Sequence, residues 1–267
     1  MSTAARTLAG DPVLLRHDEA GIATLTLNRP KQFNSLSEAL LEELQSALDM
    51  IAQDSSVRAV VLAGAGRAFC AGHDLKEMRA RPEKAYYEKL FGQCSRLMLS
   101  IVRLPQPVIA RVHGIATAAG CQLVATCDLA VASTEARFAV SGVNLGLFCT
   151  TPGVALGRNL LRKRTFEMLV TGEFIDAPTA AEYGLVNRVV AADKLDETVA
   201  EFTASICSKS VVAVEMGKRA FYRQVEQDVE SAYSFAGDVM ACNMMAEDAG
   251  EGIDAFIEKR KPVWRGK

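Results

Sequence analysis

Aromatic residues, histidines and net charge are all scarce in this sequence of 267 residues. Aromatic side chains make up 6% of it, there are 3 histidines, and the formal net charge is −2. Because nucleic-acid binding needs a basic surface, we expect no nucleic-acid partner. The apolar runs are far shorter than the roughly 20 residues that cross a bilayer, so we also expect no membrane-spanning segment.

Disulfide and metal patterns are missing as well. The 7 cysteines include no C-x-x-C pair, and an odd number in a chain of this length does not form a disulfide framework. The histidines are widely spaced and contain no H-x-x-x-H pair, so the sequence predicts no metal site. The first eleven residues lack the apolar core of a signal peptide. We therefore expect a reduced, cytoplasmic protein.

What the sequence does contain is the periodicity of an α/β body. A helical stripe follows Ser35, whose spacing to Glu38 is that of a capping box, and a second amphipathic helix is predicted over 86–102. From about Ala192 onward the period is helical throughout. Strand patterns occupy 22–27, 57–62, 108–112 and 129–132.

Two common catalytic interpretations are excluded by their motifs. The stretch G-A-G-R at 64–67 follows a predicted strand, but it lacks the third glycine and the immediate helix of a dinucleotide site. No G-K-[ST] phosphate loop is present. A serine or cysteine hydrolase is equally unsupported, because there is no G-x-S-x-G elbow and no nucleophile with a recognisable base.

Two segments contain groups that could bind a ligand or take part in catalysis. In F-C-A-G-H-D-L-K-E-M, residues 69–78, Asp74 fits the N-cap of a short helix that begins after a glycine turn. In A-A-G-C-Q-L-V-A-T-C-D, residues 118–128, small residues lead into a helix whose first N–H groups are free to meet an anion. Its first polar side chain is Gln122, an amide that can orient a ligand but cannot accept a proton near neutral pH.

Together with three further stretches, these segments resemble the crotonase (enoyl-CoA hydratase/isomerase) superfamily. The further stretches are L-N-R-P-K-Q-F-N-S-L near the start, F-A-V-S-G-V-N-L-G-L-F-C-T-T-P-G and the tail E-G-I-D-A-F-I-E-K-R-K-P-V-W. The resemblance implies an α/β fold, a crotonase-type spiral of β-β-α units. Residues 1–191 would form the core with the CoA pocket and oxyanion hole. Residues 192–267 would form a helical region for trimerisation, giving a homotrimer or a hexamer of two trimers.

The resemblance also implies the ligand, an acyl-CoA thioester, with coenzyme A as part of that ligand and no prosthetic group. Two backbone N–H groups of the family polarise the thioester carbonyl, and they match His73 and Ala119 here. The imidazole of His73 stands where the family often has alanine, and it points either at the ligand or away from it. Positions matching the family's CoA contacts are Arg29, Lys31, Phe33, Ala71, Asp74, Leu75, Lys76, Phe256 and Lys259.

The sequence departs from the family at the two glutamates of its hydratases. The first falls at Gln122 and the second at Gly142, so both water-handling carboxylates are missing. Positioned proton transfer contributes about 10²–10⁴ per group, which argues against efficient hydration. Two functions stay open: an acyl-CoA enzyme that relies on its oxyanion hole, or a non-catalytic acyl-CoA-binding or regulatory oligomer.

Without a clear presequence we expect a bacterial protein. The side chains available at the acyl end are Ser141, Asn144, Cys149, Thr150 and Thr151.

Overall fold

The computed structural model describes residues 12–267, so the expectation about the first eleven residues lies outside the described residues. Within this range, ten strands form two sheets. They are β1 Leu14–Glu19, β2 Ile22–Leu27, β3 Ala59–Gly64, β4 Ala68–Cys70, β5 Val108–Val112, β6 Ile115–Thr117, β7 Leu129–Ser133, β8 Arg137–Ala139, β9 Ile175–Asp176 and β10 Arg188–Val190. The first sheet has the order β1-β2-β3-β5-β7-β10 and the second β4-β6-β8-β9.

Eleven α-helices of the described chain connect and cover these strands. They are α1 Glu38–Ala52, α2 Leu75–Ala80, α3 Lys84–Arg103, α4 Ala119–Thr126, α5 Thr150–Asn159, α6 Arg162–Thr171, α7 Ala177–Glu182, α8 Leu195–Cys207, α9 Val211–Gln224, α10 Val229–Met244 and α11 Glu247–Ile257. Short 3-10 turns complete the links, among them one over Ser141–Leu145. The predicted α/β class and the helical C-terminal segment are confirmed.

The large sheet is mostly parallel because its central strands are buried on both faces. From β2 to β10 every neighbouring pair is parallel, and only β1 runs antiparallel. In β3, Val60 and Leu62 belong to the main core, whereas Val61 packs in a second cluster on the opposite face. This two-sided burial explains the unbroken apolar run V-V-L, which carries no alternation.

The start of α1 differs from the prediction. Ser37, not Ser35, is the N-cap, and its hydroxyl accepts a hydrogen bond from the N–H of Leu40 at 3.2 Å. The predicted Ser35 is instead held by the guanidinium of Arg29, which donates to its carbonyl at 2.6 Å. The capping-box pattern was therefore placed two residues early, because both serines precede the same apolar stripe.

The small sheet was not predicted at all. Its strands are three residues long or shorter, and such a length shows no readable alternation. The sheet nevertheless positions the site, because β4 ends at Cys70, inside the first of the two candidate segments, and β6 ends at Thr117, directly before the second. Strands β4 and β6 run parallel, which brings these two ends side by side.

The helical C-terminal segment has two parts with different packing. Helix α8 covers the second face of the large sheet, where Leu195 and Val199 join Val61 and Ile109. In the chain from Pro12 onward, none of the side chains of α10 is buried. The boundary after residue 191 stays a prediction, and the first helix beyond it packs on the core.

Two absences hold for the described residues. Between Pro12 and Lys267 no helix combines the length and the apolar character that a membrane crossing requires. Over the same range, no three or more His, Cys, Asp and Glu side chains are grouped so as to hold a metal ion.

Candidate functional site

A cavity of about 630 Å³ lies between the loop after β2, the turn between β4 and α2, the start of α4 and the loop that enters α5. Most of its wall is apolar, and two exposed lysines, Lys31 and Lys76, contribute positive charge. The predicted site residues that line it are Lys31, Phe33, Ala71, His73, Asp74, Leu75, Lys76, Ala119 and Gly142.

The loop after β2 is fixed by one buried side chain. Asn34 is completely buried, and its amide donates to the carbonyls of Ala65 at 2.9 Å and Ala68 at 2.8 Å. Its own carbonyl oxygen accepts from the N–H of Arg29 at 2.9 Å. Asn34 and Phe33 both have positive φ, 55° and 52°, a region that asparagine tolerates well. The loop therefore presents Lys31 and Phe33 to the cavity from a rigid base.

Arg29 supports the site from behind. Its guanidinium donates to the Asp74 carboxylate at 2.9 Å, and both side chains are largely buried. Burial opposes the ionisation of Asp74, but the bonds from Arg29 and from the N–H groups of Glu77 and Lys76 prevail and lower its pKa. Asp74 is the predicted N-cap of α2, and the structure confirms it. Arg29 itself does not line the cavity.

The two backbone segments meet at Gly72. It has φ +88°, and an added Cβ would lie 2.9 Å from the Cβ of Ala118 and 3.2 Å from the amide nitrogen of Ala119. The neighbouring bridge to Leu36 uses the carbonyl of Gly72 and the N–H of Asp74, which leaves the N–H of His73 outside the pairing. The N–H of Ala119 opens α4 and has no partner within that helix.

A second close contact, between Gly120 and the carbonyl of Cys70, positions helix α4. A Cβ on Gly120 would lie 2.1 Å from the carbonyl oxygen of Cys70, so only glycine allows the helix to touch β4 this closely. Ahead of it, Ala118 has φ 49° and ψ −119°, a conformation that is common for glycine and strained for alanine. The first turn of α4 is thus held against the turn that carries His73.

The imidazole of His73 is enclosed in the cavity wall. Its ring meets the edge of Phe91 at a centroid distance of 5.5 Å. Both ring nitrogens are buried. Burial lowers the pKa of His73 to about 4, against an opposing hydrogen bond with the backbone of Leu36, so the ring is neutral near pH 7.

Gln122 lies directly behind the start of α4. Its side chain is 4% exposed, and its amide oxygen is buried without a partner in the described chain. Gln122 does not line the cavity, but it is three residues from Ala119, which places both on one face of the helix. The hydroxyl of Thr126 donates to the backbone carbonyl of Gln122 at 2.8 Å.

Gly142 occupies a crowded part of the wall. A Cβ at this position would lie 2.6 Å from the carbonyl oxygen of Leu147 and 2.7 Å from Sγ of Cys149. Burial raises the pKa of the Cys149 thiol, and a hydrogen bond with the backbone of Gly142 opposes that shift. The thiol and a backbone carbonyl therefore fill the space in which a glutamate side chain at 142 would begin.

Two predicted residues lie elsewhere in the chain. Phe256 is 86% exposed near the end of α11 and borders a separate depression with Trp264. Lys259 follows that helix with φ 57°, and neither residue lines the cavity. Their predicted contact with CoA from a neighbouring subunit stays a prediction.

Several residues that line the cavity were not predicted from the sequence. Phe91 lies within the helix predicted over 86–102, and its apolar side chain gave no sign of a role at a site. Of the side chains expected at the acyl end, Asn144 does not line the cavity and donates to the carbonyl of Gly172 at 3.3 Å. The other four do line it: Ser141, Cys149, Thr150 and Thr151. The missed lining residues are Gln32, Ser35, Met78, Phe91, Ala118, Leu145, Leu147, Phe148 and Pro152.

Known proteins share both the sequence and the fold. A family model described as enoyl-CoA hydratase/isomerase matches residues 17–267. Enoyl-CoA hydratase domain-containing protein 3 of Xenopus laevis is 46% identical over 253 residues, covering 95% of this chain and 86% of the relative. The crystal structure of the human protein of that name has a TM-score of 0.92 at 44% identity, covering 94% of this chain and all of that one. That of an enoyl-CoA hydratase from Mycobacterium smegmatis has a TM-score of 0.94 at 64% identity, covering 95% and 99%.

These relatives correct one expectation. The curated vertebrate relatives, 41% to 46% identical, are mitochondrial proteins, so the expectation of a bacterial cytoplasmic protein is wrong. That expectation rested on the composition of the first residues, which is a loose signal for targeting.

Proposed function

The chain belongs to the enoyl-CoA hydratase/isomerase family, and from this premise we propose that it binds an acyl-CoA thioester in the cavity beside α4. The observation that carries the proposal is the meeting, at one cavity wall, of two backbone N–H groups that have no partner among residues 12–267. Lys31 and Lys76 are the cations that would face the phosphates of CoA, and the apolar wall is suited to an acyl chain.

The N–H groups of His73 and Ala119 would hold the thioester oxygen. Negative charge develops on this oxygen when the thioester forms an enolate or is attacked by a nucleophile. Donors fixed by the backbone stabilise that charge without reorganising, and the loss of one such donor typically costs about 10²–10³ in rate. Gly72 and Gly120 keep the two segments at the required closeness.

Efficient hydration of an enoyl-CoA is not part of the proposal. It requires groups that position water and move a proton, and the matching positions are an amide and a glycine. Burial raises the pKa of the Cys149 thiol, so the thiol stays protonated near pH 7 and does not replace a carboxylate base. A non-catalytic acyl-CoA-binding oligomer is the second candidate, and the filled space at Gly142 favours it.

A ligand panel separates these functions. Purified protein is incubated with butyryl-CoA, crotonyl-CoA and free CoA while melting temperature, enone absorbance and free thiol are recorded. A ligand that binds only the folded state raises the melting temperature. Turnover supports the enzyme, and stabilisation without turnover supports the binder. If no thioester stabilises the protein or is consumed, the proposal of CoA-thioester binding is wrong.

A pair of glycine variants tests where the ligand binds. Gly72→Val would push a side chain into Ala118 and the amide of Ala119. We expect it to abolish stabilisation by butyryl-CoA. Gly157→Val is the matched control, because nothing lies within 4 Å of a Cβ at that glycine. Circular dichroism of both variants shows whether the fold is retained.

A further inference from the structure

A second, smaller cavity of about 170 Å³ lies at the amino ends of β3 and β5, and we call it the amino-end cavity. Residues of the loop at 55–58, which leads into β3, and of the loop at 105–107, which leads into β5, line it together with the start of α9. The loop after β2 lines the candidate site, and β2 runs parallel to β3. The two cavities therefore lie at opposite ends of these strands, about 20 Å apart.

Two side chains of opposite charge line the amino-end cavity without pairing. Arg58 and Glu215 are both partly buried there, and neither forms an ion pair with any residue from Pro12 to Lys267. The guanidinium of Arg58 donates to the carbonyl of Lys209 at 2.7 Å, which leaves its other N–H groups for a ligand. The neighbouring Asp248 carboxylate is already bonded to Ser210 and to two backbone N–H groups.

The buried side chain of Gln106 adds a hydrogen-bond acceptor. It is 7% exposed and lines the same cavity. Its amide nitrogen donates to the carbonyls of Ile51 at 3.0 Å and Asp54 at 3.4 Å, so the orientation of the amide is fixed and its oxygen points away from α1. That oxygen has no partner in the described part of the chain. Buried polar atoms of this kind are rare in native structures, so the oxygen calls for a donor.

The start of α9 adds two donors. The helix has 14 residues, and its N-cap Ser210 accepts from the N–H of Ala213 at 3.3 Å. Val211 and Val212 both line the cavity, and their N–H groups have no partner among residues 12–267. Free N–H groups at the positive end of a helix dipole favour an anion. Together with Arg58 they form an anion-binding wall, opposite in character to Gln106 and Glu215.

The ligand that satisfies all of these groups carries both charges. An anion alone would pair with Arg58 and the start of α9, but it would leave the oxygens of Gln106 and Glu215 without a donor. An ammonium group has only donors and would satisfy both oxygens. An α-amino acid carries a carboxylate and an ammonium group on one carbon. A water takes about 30 Å³ in the liquid, so the cavity has room for about five waters, which suits glycine or alanine.

We propose that the amino-end cavity binds a small α-amino acid as its zwitterion. The carboxylate pairs with Arg58 and the start of α9, and the ammonium group donates to Gln106 and Glu215. Because the walls come from two core loops and from α9, the bound amino acid holds the C-terminal helices on the core. This site is independent of the proposed function, since the two cavities share no lining residue.

The experiment measures dissociation constants of the full chain by calorimetry for L-alanine, propionate and ethylammonium. Propionate lacks the ammonium group of alanine, and ethylammonium lacks its carboxylate. We expect L-alanine to bind at least about tenfold more tightly than either, as one charge-assisted hydrogen bond would give. L-Phenylalanine, whose ring exceeds the volume of the cavity, should not bind.

Two variants assign the preference to its residues. Arg58→Met removes the cation and should weaken the binding of L-alanine at least about tenfold. Glu215→Gln removes the anion and should weaken L-alanine to a similar degree without weakening propionate. Arg162→Met, at an exposed position where α6 begins, is the control and should bind L-alanine as the wild type does. Circular dichroism shows whether each variant is folded.

Hydrogen exchange of the wild-type protein covers the case in which a variant does not fold. L-Alanine should slow exchange at 55–58 and 211–215, and propionate at the same concentration should not. A co-solute that is merely excluded from the protein surface would instead stabilise the wild type and Arg58→Met alike. Equal affinity for the three ligands, no binding of L-alanine, or a preference that persists in both variants would overturn the inference. None of these results would bear on CoA binding.

Discussion

The contact between Gly142 and Cys149 limits which side chains fit at position 142. Any side chain at 142 meets the carbonyl of Leu147 and Sγ of Cys149 from its first carbon onward. A flexible surface side chain could move aside. The carbonyl of Leu147 belongs to the backbone of a short turn, so it moves only if the whole turn moves. The absence of the second glutamate is therefore built into the shape of this wall.

A first prediction follows for Gly142→Glu. Overpacking of this kind typically costs about 1–3 kcal/mol, so we expect a clearly lower free energy of unfolding and no crotonyl-CoA hydration. Urea denaturation and enone absorbance measure the two effects. Gly157→Glu, on open surface of α5, should unfold like the wild type. If both variants were equally stable, the crowding described here would be wrong.

Strain at Ala118 gives a second prediction. With φ 49° and ψ −119°, this residue adopts a glycine-like conformation. We expect Ala118→Gly to stabilise the protein by about 1 kcal/mol in urea denaturation, because relief of the strained backbone outweighs the entropy of the added glycine. The opposite change at the facing residue, Gly72→Ala, should destabilise it, since φ is +88° and the new Cβ would lie 2.9 Å from Ala118.

The buried imidazole of His73 predicts a pH dependence. Its pKa is about 4 in the folded protein and about 6.5 in an unfolded chain. Below the unfolded value the unfolded chain binds a proton that the folded protein does not, so stability falls as the pH falls from about 6.5 toward 4. Relative to His73→Phe, the wild type should lose up to about 1.4 kcal/mol per pH unit in that range. Parallel curves for the two proteins would contradict this.

At the level of elements, one buried ion pair joins the C-terminal helices to the core. Lys218 on α9 donates to the Asp128 carboxylate at 2.7 Å and to the carbonyls of Ile101 and Gln106, each at 3.0 Å. Tyr222, one helical turn further, donates to the same carboxylate at 2.8 Å. Asp128 follows α4 almost immediately, so α9 holds the end of the helix whose start faces the cavity.

We predict that Lys218→Met destabilises the protein by about 3–5 kcal/mol, because it leaves the Asp128 carboxylate buried without its cation. The double variant with Asp128→Asn should regain part of that loss. Lys194→Met removes an exposed pair with Glu197 and should change stability by less than about 1 kcal/mol. Equal losses at Lys218 and Lys194 in chemical denaturation would refute the anchoring role.

The sequence predicted the longer elements well and the strands of the small sheet not at all. Strands β2 and β5 have the predicted bounds, and α3 extends the predicted helix by two residues at the start and one at the end. The small sheet was missed because two or three residues carry no period. At the site, the motif matches located the backbone turns, whereas the crowding at Gly142 depends on Cys149, seven residues away, and no local pattern encodes that contact.

At the scale of the whole molecule, the C-terminal helices expose much apolar surface. On α10, Tyr233 is 76% and Met240 62% exposed, and Leu161 and Phe166, at the start of α6 and within it, are exposed as well. Exposed apolar surface of this extent marks interaction sites. The trimer or hexamer that the family resemblance implies would cover it, and this assembly stays a proposal.

A fifth prediction tests the assembly. Light scattering of the wild-type protein should give the mass of three or six chains of 28.8 kDa each. Tyr233→Lys together with Met240→Lys should shift the mass toward the single chain, because two cations would have to be buried at the interface. Lys84→Glu, at an exposed position on α3, is the control and should leave the mass unchanged. A wild-type protein that elutes as a single chain would refute the proposal.

The filled wall at Gly142 also constrains how this site can evolve. A carboxylate there is blocked until Cys149 or the turn at Leu147 has already changed, and neither change confers hydration by itself. Because selection acts on one substitution at a time, each intermediate protein would be less stable and would gain no hydration activity. Two-carboxylate chemistry on this scaffold therefore requires at least two linked changes, one at Gly142 and one that moves Cys149 or the turn at Leu147.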